Sequence, residues 1–396
     1  MNTNLVKQFF VKFAQALSAP GIIASAANAT ADGPQPLKGP LVVRGNLVLR
    51  EEAALEYIEM LDKISEIVTR DGTWSRASVD DLLTESVFDV ANASGEQRAE
   101  AIRTQVSRIV AQLKTHPDKW HVDVAVAGVS PDCAGQKFGT IQFLLDTVMN
   151  AVQPHKTNDE GKITSIFVRT CVQAIDEASA LHAGIPIVDR HLAVLNALFS
   201  DWQPSRIHLY RGEPKPVLRN SISRAVKIGD DNRLTKFGST IAGTILSPYE
   251  WDGFLNVRGG AIVSALLTQD HTFANRLIAG YVAAGTACVE LNPQLSFLLF
   301  AIALESVLLG KQIKTEITHQ LSTRVAHLLA STIVARRSVV KRVNELYKLR
   351  SAIVHAGENE ISETDLNTIR GICLRSLLTL TTSSDFANMK CVEELV

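Results

Sequence analysis

Leu346-Tyr347-Lys348-Leu349-Arg350-Ser351-Ala352-Ile353-Val354-His355-Ala356-Gly357 is the stretch on which the reading of the C-terminal half turns. Val339, Val343, Leu346 and Ile353 recur at helical spacing and mark one face of an amphipathic helix. At about 100° per residue, Arg350 falls in the middle of that apolar face. A guanidinium keeps its charge there, so it requires an anionic partner or a ligand. His355 follows roughly 140° further round, and Gly357 offers a left-handed cap that ends the helix.

Outward from this stretch the chain reads as helix after helix. Asn292-Pro293 supplies an N-cap and a first-turn proline, Phe297–Leu309 an apolar body, and Gly310 a stop. Apolar on all sides, this segment is expected at the centre of a bundle. Glu305 is the single charge within its body, and a buried carboxylate demands a cation. Arg350 is the first candidate for that partner and Arg324 the second. Helices are expected at Ala261–Leu267, Phe273–Cys288, Thr318–Val334 and Ser338–His355. A last one starts at Ser362, with Asp365 three residues on, and runs through Leu380. Long helices with short turns give an up-and-down bundle of four or five.

Arg350-Ser351-Ala352-Ile353-Val354-His355 resembles the R-x4-H signature of HEPN domains, small all-helical modules of many prokaryotic toxin and defence ribonucleases. The flanks are similar to the Apea-like branch: 297–310 resembles its first core helix and 315–329 its second. The likeness covers about 255–382. One position departs, since active members most often carry Asn, Asp or His where Ser351 stands. The resemblance implies a metal-independent endoribonuclease with no cofactor, its site at a two-fold dimer interface to which each protomer gives one Arg and one His. RNA carries its own nucleophile, the 2′-hydroxyl. An imidazole with an ordinary pKa near 6.5 can move the proton, and a guanidinium fork can hold the phosphate oxygens. His355 and Arg350 take those roles, with Ser351, Glu305 and Arg324 in support. Arg336, Arg337, Lys341, Arg342 and Lys348 set further positive charge on the motif helix against Glu345 alone, a candidate RNA track. A structural reading stays open. In it Arg350 pairs with Glu305, His355 interacts with the helix dipole, and the bundle dimerises or binds RNA without cutting it.

Composition bounds the rest. The 396 residues suggest two or three domains; hydrophobic residues are 46% and charged ones 20%, as in a globular chain. Net charge is −1, so any nucleic-acid binding must come from local patches. Cys133, Cys171, Cys288, Cys373 and Cys391 are scattered without C-x-x-C spacing, which points to neither disulfides nor zinc and suits a reducing, cytoplasmic home. Lys12 interrupts the apolar run Phe9–Phe13, so residues 1–31 read as a short amphipathic helix and an Ala-rich arm rather than a secretory leader. No run of 18 apolar residues is present, and no membrane span is expected.

The expected fold is therefore α+β overall: an arm and linker at 1–40, a mixed α/β domain at 41–203, a basic connector at 204–240, and an all-α HEPN-like bundle at 241–396. Within 41–203, strands are expected at Leu41–Leu49, His121–Val129, Lys162–Arg169 and Arg206–Tyr210. Helices are expected at Glu51–Thr69, from Ser94 to Leu113, at Phe138–Val152 and at Ile187–Phe199. No nucleotide-phosphate loop is present. Asp189-Arg190-His191 reads as a solvated helix start, and His116, His121 and His155 are too dispersed for metal. From its place beside an effector-like bundle, this region is expected to bind a trigger or regulator. The connector, basic at eight positions against three acids, reads as a solvated hinge, with an RNA-guiding strip as the alternative.

Overall fold

The computed structural model describes residues 6–8, 11–12, 41–44, 47–68, 73–93, 96–114, 116–145, 166–202, 209–211, 246–257, 259–269, 271–309, 317–356, 360–383 and 389. The Ala-rich arm, the turn-rich linker, nearly all of the basic connector, His155, Gly310, Gly357 and Cys391 lie outside the described residues. The chain is α+β. It forms two compact units, Met1–Val122 with Cys171–Pro186, and Asp123–Thr170 with Ile187–Val396.

The first unit begins with β1 (Leu41–Arg44) and β2 (Leu47–Arg50), paired antiparallel from Leu41↔Arg50 to Arg44↔Leu47. Where one strand is expected over Leu41–Leu49, the described residues form these two. Then come α1 (Glu51–Val68), α2 (Arg76–Asn92) and α3 (Arg98–Gln112). Their core holds Tyr57, Met60, Ile64, Trp74, Leu83, Val87 and Ile109. Nothing in the sequence reading foresaw α2, whose apolar positions are broken by acids and serines; Ser75 caps it by accepting from Ser78 N at 3.0 Å. Asp176 accepts from Ser78 Oγ at 3.0 Å and from Ser179 N at 2.7 Å, fixing the segment after the sheet to the start of α2.

Strands β3 (Asp118–Ala127), β4 (Lys137–Phe138), β5 (Ile141–Leu145), β6 (Ile166–Ala174) and β7 (Tyr210–Arg211) form one sheet in the order β4-β5-β6-β3-β7. In the second unit β5 pairs antiparallel with β6, and Arg169 donates to both carboxylate oxygens of Asp123 at 2.7 and 2.6 Å. The helix expected over Phe138–Val152 is a hairpin in its described part, with Phe138 opposite Ile141. The apolar positions Phe138, Ile141, Phe143, Leu144 and Leu145 fit either period. Gly139 decides it by turning at φ +57°, where a Cβ would come within 2.6 Å of His191 Nε2.

Helix α4 (Glu177–Trp202) starts ten residues before the expected Ile187, and Asp189-Arg190-His191 lies in its middle rather than at a solvated start. His191 is 2% exposed. Its Nδ1 is 2.7 Å from Ile187 O and its Nε2 is 3.3 Å from Thr140 Oγ1. Burial pushes the imidazole down to about 4 against the pull of the Ile187 carbonyl, and it stands neutral in the core.

Among the described residues seven helices follow: α5 (Pro248–Val257), α6 (Gly260–Leu266), α7 (Thr272–Val289), α8 (Pro293–Leu308), α9 (Ile317–Leu329), α10 (Ile333–Ala356) and α11 (Glu363–Thr382). Asn292 Oδ1 accepts from Gln294 N and Leu295 N ahead of Pro293, and Ser362 Oγ accepts from Asp365 N, so both expected starts hold. The helix expected to reach Val334 ends at Leu329 instead. Thr332 Oγ1 accepts from Ala335 N at 3.2 Å and opens α10 five residues before the expected Ser338. Phe297, Phe300, Ala301 and Leu304 bury α8 in a core that also takes Phe138, Phe143, Leu192, Val325, Leu346 and Leu377. That core is continuous from the sheet to the last helix. Small residues let the helices close up: a Cβ at Gly285 of α7 would lie 1.7 Å from the carbonyl oxygen of Ala193 on α4.

Candidate active site

The motif helix α10 presents two unlike faces. Val343, Leu346 and Ile353 are buried on one, with Tyr347 at its edge. Arg350 sits on the same side, as its spacing requires, and its Nε lies 3.4 Å from Glu305 Oε1 on α8. Arg350 is thus the partner that the sequence assigned to Glu305. The pairing is loose. The side chains are 33% and 23% exposed, and Arg350 Nε is sealed from solvent without a hydrogen bond of acceptable geometry. The contact is an ion pair without a hydrogen bond at Nε. Tyr347 stands beside it, donating its hydroxyl to Ala301 O at 3.3 Å. Burial, and then the Glu305 carboxylate, push the phenol well above its ordinary pKa, so it stays protonated.

Arg324, the second candidate for Glu305, does something else. Buried at 8% exposure, it donates through Nη1 to Leu308 O at 2.5 Å. Arg276, which the sequence reading did not single out, donates to Ser306 O, Val307 O and Leu309 O. Two guanidiniums therefore satisfy carbonyls that the last turn of α8 leaves open, and they complement its dipole. Nothing local marks Arg276 for this, because its partners lie thirty residues away.

The other face of α10 is solvent-facing. Arg337, Lys341, Lys348, Ser351 and His355 are all exposed along it. The remaining two of the five basic residues expected on an RNA track are engaged. Arg336 Nε donates to Ala330 O at 3.0 Å, closing the end of α9. Arg342 donates to Asp365 at 2.7 Å and to Glu345 at 3.2 Å, tying α10 to α11. Burial opposes its charge, but the two carboxylates outweigh that and raise its pKa. The Ser362 hydroxyl, then Arg342, hold Asp365 below the usual carboxylate range against a burial penalty.

Two concavities adjoin this face. A trough of about 560 Å³ runs past Ile333, Arg337, Val340, Lys341, Asn344 and Lys348. A cleft of about 500 Å³ between α9 and α10 is lined by Thr318, His319, Asn344, Tyr347, Lys348 and Ser351. The sequence reading missed this cleft. Its residues come from two helices, and no spacing pattern links His319 to Asn344.

Arg350 and His355 do not converge within one chain. Five residues of helix separate them by about 7.5 Å of rise and about 140° of turn. Around the ion pair the surface is apolar: Ile302, one turn before Glu305, and Val354, one turn after Arg350, are 46% and 50% exposed. Among the described residues no group of His, Cys, Asp and Glu is arranged to hold a metal ion, and no helix is long and apolar enough to cross a membrane. Among the described residues, Cys133, Cys171, Cys288 and Cys373 form no disulfide. The chain matches no family model, no curated protein and no solved structure.

Proposed function

We propose that the protein is a metal-independent endoribonuclease of HEPN type, working as a homodimer on cytoplasmic RNA as a defence or toxin effector. The observation that carries the reading is the arrangement of α10. One face holds a loosely restrained guanidinium beside exposed apolar surface, and the other holds an exposed imidazole in a basic stripe. A second copy laid against Ile302 and Val354 would cover that apolar surface in a self-complementary interface and bring an Arg and a His from each chain to one phosphodiester. One imidazole accepts the 2′-hydroxyl proton as the 2′-oxygen bonds to phosphorus. Arg350 holds the non-bridging oxygens as charge builds on them. The other imidazole protonates the departing 5′-oxygen, leaving a 2′,3′-cyclic phosphate and a 5′-hydroxyl. Arg337, Lys341 and Lys348 hold the strand by phosphate contacts. Residues 41–203 would bind a trigger or regulator.

A non-catalytic RNA-binding or dimerisation module is favoured by one observation: Glu305 already supplies Arg350 with a counter-charge. Incubation of the full chain with RNA in the presence of a chelator separates the two. The ribonuclease cuts and leaves cyclic phosphate ends, and His355→Ala lowers the rate at least about 100-fold with unchanged circular dichroism. Retention of RNA without cutting, with affinity falling steeply in salt, selects the module. Cutting that survives His355→Ala removes the proposed mechanism.

A further inference from the structure

We infer that the start of α10 is a docking tip for an anionic phospholipid surface, a property separate from the ribonuclease reading. Ile333 and Val334 are 69% and 79% exposed at the first turn of the helix. Two neighbouring aliphatic side chains held in water at the end of a bundle gain by being covered. Residues 317–344 contain no acid, and behind the tip come Arg336 and then the exposed Arg337 and Lys341. Glu345, the next carboxylate along α10, accepts from Arg342 at 3.2 Å. The turn between α7 and α8 lies at the same end. Helices α8 and α10 run parallel, since Tyr347 donates to Ala301 O and, one turn further along both, Arg350 meets Glu305. Leu291 is exposed in that turn, and Glu290 beside it accepts from Asn292 N at 2.8 Å.

The order of these groups along the helix axis selects the occupant. Arg337 stands about 6 Å of rise behind Ile333, and Lys341 about 12 Å. A bilayer surface has the same order, acyl boundary first and phosphate behind it, and peripheral helices sink their apolar groups about 5–10 Å into that boundary. Basic side chains held near an anionic leaflet add attraction of their own. A two-fold contact with a second copy through this tip would set Arg337 and Lys341 against their equals, so charge disfavours it. Arg337 and Lys341 answer to any polyanion, RNA included; Ile333 and Val334 answer only to an apolar phase.

The test is co-sedimentation of the full chain with vesicles of phosphatidylcholine alone and of phosphatidylcholine with about 30% phosphatidylglycerol, at about 0.15 M salt. Partition onto the anionic vesicles should be at least about tenfold stronger. Ile333→Ser combined with Val334→Ser should weaken it at least about tenfold, and because both side chains are exposed the circular dichroism should not change. Arg337→Gln combined with Lys341→Gln should remove most of the difference between the two kinds of vesicle. Ile333→Trp should add emission that lipids brominated on the acyl chain quench. Absence of binding, equal partition of the wild type, partition indifferent to the double serine variant, or added emission that escapes quenching overturns the inference. Self-association without vesicles that the same double variant abolishes assigns the tip to a second copy and overturns it. Capture by polyglutamate without capture by vesicles assigns the tip to an acidic protein and also overturns it. RNA cleavage, present or absent, leaves each of these outcomes unchanged.

Discussion

At the end of α8, Arg324 donates to Leu308 O from a side chain buried to 8%, whereas Arg350, reaching the same helix, stands 3.4 Å from Glu305 with a third of its side chain in solvent. The two histidines divide the same way. His191 is enclosed between the Ile187 carbonyl and Thr140, and His355 is exposed at the end of α10. A polar group whose bonding is completed inside the fold contributes to the fold. One left with spare donors at the surface is free to act on something else. Residue type alone does not separate these cases; the count of satisfied atoms does.

The sharpest way to break this contrast is to remove each arginine in turn. Arg324→Ala takes a charged, buried hydrogen bond from the cap of α8 and should cost about 3 kcal/mol in urea unfolding at neutral pH. Arg350→Ala, acting on a partly exposed pair, should cost about 1 kcal/mol. Equal losses would make Arg350 a structural residue like its neighbour.

The histidines give the next test. The folded pKa of His191 lies below its unfolded value, so the unfolded chain binds the proton first and stability falls as pH drops from 6.5 towards 4. Relative to His191→Gln, the wild type should lose up to about 3 kcal/mol across that window, read by urea titrations at several pH values. A parallel dependence in both proteins would show that His191 is not sealed.

Asp365 gives the smallest effect. Its lowered pKa contributes stability above the ordinary carboxylate range, lost as pH falls through the folded value. Asp365→Asn should lower stability at neutral pH by less than about 1 kcal/mol, and the difference from wild type should vanish in acid. A larger loss would mean that the Arg342 bridge carries more of the α10–α11 packing than its exposure suggests.

Several features were legible in the sequence because their causes are local or categorical. Asn292 and Ser362 cap helices through bonds to residues two or three along, so spacing alone reveals them. Glu305 and Arg350 were matched because each is the wrong kind of residue for its apolar face, and two such misfits of opposite sign demand one another. The hairpin at Phe138–Leu145 was not legible, because so short a mixed pattern fits a helical as well as a strand period. The break between α9 and α10 was hidden because Thr332 caps equally well or not at all until the chain turns there. Of five basic residues on the motif helix, the sequence had no means of knowing that Arg336 and Arg342 were already committed to Ala330 and Asp365.

The amino-acid order by itself determined that this chain is α+β, that its C-terminal half is helical, and that one helix carries an arginine facing inward and a histidine facing out. Those follow from periodicity and from the refusal of a guanidinium to lose its charge. Tertiary structure decided which polar groups are finished and which are spare. It enclosed His191, set Arg276 and Arg324 on the carbonyls of α8, and opened the cleft at Asn344. Each of these depends on atoms brought together from distant segments, and no local pattern records that.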